Sequence, residues 1–143
     1  LSQERAQQLY EQVTALESQY SEILRQEAML GTARREAISA AETLRGTAGG
    51  KALEALVPVG AGLYLGARVD DPDRVIVDIG AGVAMERDRA SALDHVEAQI
   101  KGLDVALGNA AEQKRQIAAQ LQQGRQELEG IARAEMGAPG GNV

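Results

Sequence analysis

Residues 56–86 read LVPVGAGLYLGARVDDPDRVIVDIGAGVAME, and the fold turns on how they are read. The stretch repeats itself. Val57-Pro58-Val59-Gly60-Ala61-Gly62-Leu63-Tyr64-Leu65 aligns with Val77-Asp78-Ile79-Gly80-Ala81-Gly82-Val83-Ala84-Met85. Each half is an apolar run, then Gly-Ala-Gly, then a second apolar run. Glycine reaches positive φ without steric cost, so a short glycine-bearing link between strand-like runs signals a hairpin. The spacing predicts two tandem β-hairpins. The turn Asp70-Asp71-Pro72-Asp73 joins them, with Pro and Asp supplying turn geometry.

Inside the stretch Leu63, Leu65, Ala67 and Val69 alternate with Tyr64, Gly66 and Arg68. Val75, Val77 and Ile79 alternate with Ile76 and Asp78. One apolar face per strand suits a half-buried antiparallel sheet. Pro58 cannot donate to a ladder and belongs at a strand start or edge. Two hairpins are marginal alone, and their unpaired edges invite further strands. The insert is therefore expected to be an assembly device that completes its sheet with another subunit. Val57, Val59, Leu63, Leu65, Val75, Val77 and Ile79 are the expected core of that oligomerisation interface.

Long helical repeats flank the insert. From Ser2 to about Arg45 there is no proline and one glycine, Gly31. Leu9, Leu16, Ile23, Leu30, Ala37 and Leu44 fall on one heptad line. Ala6, Val13, Tyr20, Glu27, Arg34 and Ala41 fall on its companion. Leucine at nearly every position of the first line argues for a coiled coil, and the polar Glu27 and Arg34 restrict register. Gly46 and Gly49-Gly50 supply the stop. After the insert, Asp88 is the expected cap of a second helix, with Ser91 as the alternative. Its seam runs Leu93, Val96, Ile100, Leu103, Leu107, Ala110, Lys114, Ile117, Leu121, Gly124, Leu128, Ile131, Glu135 without a slip. At 1.5 Å per residue each helix should be roughly 65–70 Å long.

The expected class is α+β, mainly α: a long antiparallel coiled-coil hairpin with two β-hairpins inserted between its helices. One domain covers residues 1–143. It comprises a first helix (1–46), a linker (47–55), the tandem hairpins (56–86), a second helix (87–136) and a glycine-rich tail (137–143) expected to be disordered.

Composition excludes several function classes. Aromatics are 2%, without Phe or Trp, so the core should be a narrow aliphatic seam. The net charge is −6, and 15 basic residues are interspersed with 21 acidic ones. A phosphate-binding face needs clustered cations, so neither nucleic acid nor anionic membrane is an expected partner. No apolar run is long enough to span a bilayer. The polar N-terminal residues do not read as a signal peptide, and cysteine is absent, so the expected location is cytoplasmic. No nucleophile–base pair or metal-ligand cluster is visible; no catalytic residue, metal or cofactor is expected. Gly60-Ala61-Gly62 lacks the extension of a phosphate loop. His95 and the acidic turn at 70–73 read as solvated surface.

The order of elements, with Leu56-Val57-Pro58-Val59-Gly60-Ala61-Gly62 and Val77-Asp78-Ile79-Gly80-Ala81-Gly82-Val83-Ala84 between matched helices, resembles the α class of the prefoldin family. The likeness covers nearly the whole chain. The doubled hairpin is its specific part, since β-class subunits carry a single one. The resemblance implies an archaeal-type, ATP-independent co-chaperone of two α and four β subunits. In it, hairpins build a platform, coiled-coil tips hold unfolded polypeptide clients, and clients pass to a group II chaperonin. Leu1, Leu9 and Tyr10 from the first helix, with Leu128, Ile131 and Met136 from the second, are the expected client-binding tip. Ordinary seam packing is the competing reading of Leu9, Leu128 and Ile131. Gly124 and Gly130 are expected to loosen that tip, each weakening a helix by roughly 0.8–1.0 kcal/mol relative to alanine. The alternative function is a structural coiled-coil adaptor that uses the same platform in another complex. An RNA-polymerase or tRNA-binding coiled-coil hairpin fits less well, because strands occupy the place of its charged turn.

Overall fold

The computed structural model describes residues 2–137. Leu1 and residues 138–143 of the tail lie outside them. Among the described residues the order is α1 (Ser2–Gly46), β1 (Leu53–Gly60), β2 (Leu63–Val69), β3 (Arg74–Gly80), β4 (Val83–Asp88) and α2 (Arg89–Met136). Two long helices thus enclose two small antiparallel hairpins in sequence. The described residues divide into two compact units, 2–31 with 105–137, and Thr32–Asp104.

In the first unit, α1 and α2 segments run antiparallel. Arg5 bonds Glu127 at 3.1 Å, Glu17 bonds Arg125 at 3.1 Å, and Glu27 bonds Lys114 at 2.9 Å. Ser2 donates its hydroxyl to Glu135 at 3.0 Å. The buried residues are Leu9, Val13, Ile23, Ala110 and Leu121, all on the predicted heptad lines. A two-helix seam covers only one stripe of each helix, which is why this core holds one row of aliphatics per helix.

The second unit carries the other helix segments and both hairpins. Arg34 bonds Asp104 at 2.6 Å and Arg45 bonds Glu97 at 2.7 Å, again antiparallel. Asp88 caps α2 by accepting the backbone N–H of Ser91 at 2.7 Å. The inter-hairpin turn is tied to the same helix start. Asp73 accepts the Arg89 N–H on its carbonyl at 2.8 Å and the Arg89 Nε–H on its carboxylate at 3.1 Å. His95, expected on the solvated surface, is instead half-buried, as are its neighbours Val96 and Glu97.

The strands extend beyond the expected 56–86. β2 runs to Val69, so its antiparallel partner must reach Leu53, and Leu53↔Val69 and Glu54↔Arg68 are paired. Likewise Arg74 pairs with Asp88, which places the start of α2 at Arg89 rather than 87. Val57 pairs with Leu65 and Val77 with Met85. Val59 and Ile79 sit at the register shifts, one residue before each turn. Ala61 (φ 53°) with Gly62 (φ 77°), and Ala81 (φ 53°) with Gly82 (φ 74°), have the paired positive φ values of a type I′ turn. An L-residue with a β-carbon pays about 1–2 kcal/mol there, whereas asparagine tolerates it. Ala61→Asn and Ala81→Asn should each raise thermal stability by about 1 kcal/mol. An unchanged melting temperature for both would show that the alanines carry no strain.

Candidate functional site

The site begins with an unfinished sheet. Among the described residues β1 pairs only with β2 and β3 only with β4, giving two separate two-stranded sheets. Each hairpin therefore keeps open edges, where backbone donors and acceptors await a partner. The register gathers apolar side chains onto one face. In the first hairpin Leu53, Ala55, Val57, Leu65, Ala67 and Val69 share a side. In the second, Val75, Val77 and Met85 share a side with Arg87, the cross-strand partner of Val75.

Of the residues expected to form the interface, Val57, Val59, Leu63, Leu65 and Ile79 are exposed, while Val75 and Val77 are half-buried within their own hairpin. Sequence reasoning did not single out Leu56, Tyr64, Val69, Ile76, Val83 and Met85, which are exposed as well. Their signal lay in plain view, because strands with apolar residues on both parities cannot be satisfied by one covered face. Exposed apolar area of this concentration marks an interaction surface. The opposite face of the second hairpin is charged. Arg74 bonds Glu86 at 2.5 Å, and that hydrogen bond raises the Arg74 guanidinium above its ordinary pKa.

The helical candidates separate by burial. Leu9 is 3% exposed and belongs to the seam, and Leu128 and Ile131 are half-buried. Tyr10 is 63% and Met136 88% exposed. Leu1 lies outside the described residues. An open groove of about 470 Å³ runs along the seam here, lined by Leu9, Val13, Leu16, Gly124 and a row of glutamines. Leu24, Met29 and Val105 are further exposed apolar residues that periodicity did not flag, because they stand off both heptad lines.

The seam's polar interruptions meet each other. Glu27 and Lys114, one on each predicted line, form a pair, and the hydrogen bond to Glu27 raises the Lys114 amine above 10.5. A raised folded value means the amine's contribution is complete below the ordinary lysine pKa and fades as pH climbs through the folded one. The pair is thus insensitive to pH near neutrality.

The two glycines differ. A Cβ on Gly130 would meet nothing within 4 Å, but one on Gly124 would lie 2.9 Å from Cγ2 of the buried Val13. Gly124 lets Val13 pack, so it cannot be treated simply as a softener. Gly130→Ala should stabilise by about 0.8–1.0 kcal/mol. At Gly124→Ala overpacking of about 1–3 kcal/mol opposes that gain. Hydrogen exchange of residues 120–136 should slow for the first variant and stay level or quicken for the second. Slowing by the same amount in both would refute the Val13 contact.

Among the described residues no group of three or more His, Cys, Asp or Glu is placed to hold a metal, and no helix is long and apolar enough to cross a membrane. The turn at 70–73 is satisfied internally: Asp71 accepts the Asp73 N–H at 3.1 Å and Arg68 bonds Asp70 at 3.0 Å.

Comparison with known proteins agrees with this architecture. The family described as "Prefoldin subunit" matches residues 11–134. The chain is 32% identical over 134 residues to prefoldin subunit alpha of Nitrosopumilus maritimus, covering 94% of this chain and 92% of that one. It is 28% identical over 143 residues to prefoldin subunit alpha of Methanobrevibacter smithii, covering 98% of each. Among solved structures it is similar to a chain of filamentous PFD from Methanocaldococcus jannaschii. There the TM-score is 0.52 and the identity 22%, over 87% of this chain and 98% of that one.

Proposed function

The chain belongs to the prefoldin family, and on that premise we propose that it is the α-class subunit of an ATP-independent co-chaperone. Two copies join four β-class subunits through the hairpins. The assembly holds unfolded polypeptides on its coiled coils and passes them to a group II chaperonin in the cytoplasm. The observation that carries this reading is the pair of separate two-stranded sheets with exposed apolar faces, which lie between two long helices in the order of the chain. Such hairpins are marginal in isolation and are stabilised by strands from neighbours. Holding clients of no fixed sequence calls for non-directional apolar contact, worth about 25 cal/mol per Å² buried. Tyr10 and Met136 offer it, with methionine adapting to varied shapes. Leu9, Leu128 and Ile131 join only where the seam opens, and Leu1 extends the set. No step needs a nucleotide, a metal or a catalytic group.

The test is native mass spectrometry of complexes captured through this chain, followed by an aggregation assay without ATP. Two copies of this chain with four of a smaller coiled-coil protein, suppressing aggregation of a denatured client, is the expected result. A complex with unrelated proteins that leaves aggregation unchanged would replace the co-chaperone by an adaptor.

A further inference from the structure

In the first unit the two flanks of the helix seam differ in chemistry. One flank is bridged by Glu17 and Arg125 at 3.1 Å. The other is walled by glutamines. Its Arg5–Glu127 pair lies toward the chain ends, and one heptad step along each helix sets Gln12 opposite Gln120. A second step sets Gln19 opposite Gln113. Two depressions of about 470 and 420 Å³ follow this flank and share Gln19 and Gln120. Leu9 lines the first and Ile23 the second, a run of about 20 Å at the helical rise. Half-buried Leu16 and Ile117 give the groove apolar floor. The charges that border it are matched, Arg5 with Glu127 and Glu22 with Arg25 at 3.0 Å. Gln7 and Gln116 donate to carboxylates on their own helices. Among the described residues Gln12, Gln19, Gln113, Gln120 and Gln123 are exposed along the groove and make no side-chain hydrogen bond to protein. Each of these amides offers both donors and an acceptor.

We propose that this flank is a backbone-reading subsite for unfolded polypeptide. A client segment lies along it in extended form, with room for about six residues at roughly 3.3 Å each. The glutamine amides of both helices donate to its carbonyls and accept from its N–H groups, while its apolar side chains rest on Leu16 and Ile117. The occupant is extended rather than helical, because a helix has already paired its own backbone groups and leaves the amides nothing to bond. The electrostatics fit the peptide backbone, which is neutral and polar. Uncharged amides between matched ion pairs neither repel acidic segments nor select basic ones. Each amide exchanges a bond to water for a bond to peptide, so a single one gains little and several act together. On the client-holding reading proposed above, on which this subsite rests, Tyr10 and Met136 supply contact without direction. The glutamines add directional contact to the one feature that every unfolded chain shares.

The experiment is a fluorescence-anisotropy titration of the purified full-length complex with two labelled peptides. One is a neutral, unstructured peptide of serine and leucine. The other has the same sequence with alternate backbone nitrogens methylated, which removes donors and keeps every side chain. Wild type should bind the unmodified peptide about tenfold or more tightly than the methylated one. Gln12→Met with Gln120→Met keeps side-chain length and helix propensity and removes two facing amides. It should keep its helical signal and assembly mass, bind the unmodified peptide about tenfold more weakly, and lose most of the discrimination. Were the contact apolar alone, methionine would hold the peptide as well as glutamine or better, and that result would overturn the proposal. Equal binding of the two peptides by wild type would overturn it without recourse to any variant. In both cases suppression of client aggregation by wild type stays intact. A failure of the co-chaperone reading shows differently, as a wild-type complex that leaves aggregation of a denatured client unchanged, and it takes the subsite with it.

Discussion

Val77→Asp is expected to dissociate the assembly while leaving the helical signal nearly intact. Val77 faces Met85 across the second hairpin and is half-buried before any partner arrives. Partner strands would cover it fully. A carboxylate there loses its water, and the cation on that face, Arg87, stands diagonal to it opposite Val75, so the cost is up to about 3–5 kcal/mol by analogy with unpaired buried charges. Association should weaken by roughly a hundredfold to a thousandfold or more. The helices keep their own seam residues, such as Leu121 and Ile23, so circular dichroism should change little. Ile76→Asp is the control, since Ile76 lies on the opposite, charged side and is 74% exposed. An intact complex mass for Val77→Asp, or equal loss in the control, would show that the faces are misassigned.

Stability and client holding should come apart at neighbouring positions of α1. Leu9→Ala removes a side chain buried in the seam and should cost about 2–5 kcal/mol, seen as an earlier melt. Tyr10→Ser with Met136→Ala removes only exposed surface, so melting should shift by no more than about 0.5 kcal/mol. Client binding should nonetheless fall, because burying each such side chain is worth roughly 1.5–3 kcal/mol. That amounts to about tenfold or more in affinity. The assay is suppression of aggregation at substoichiometric complex, alongside the melt. Unimpaired holding by the double variant would move the client contacts elsewhere, with Leu24, Met29 and Val105 the next residues to change.

The architecture was legible because its signals are local. A Gly-Ala-Gly between apolar runs demands positive φ whatever surrounds it, and Gly60 to Gly62 and Gly80 to Gly82 adopt it. A heptad places Leu9, Val13 and Ile23 on one stripe of α1 before any partner is known. Strand limits were less legible, since Leu53 becomes a strand residue only by pairing with Val69.

What the tertiary structure alone decided depends on residues far apart in the chain. That Glu27 pairs with Lys114 and Arg34 with Asp104 follows from the register between two helices. Periodicity shows which face turns inward but not which residues meet. The same register sets Val13 against Gly124 and so makes that glycine a packing device. Pairing likewise sets Leu56 beside Gly66 and makes a strand glycine into a depression. Backbone conformation is chosen by neighbours in sequence, which is why the hairpins and helices could be read directly. Contact across a seam or a sheet is chosen by shape and charge brought together in space, and no local pattern records it.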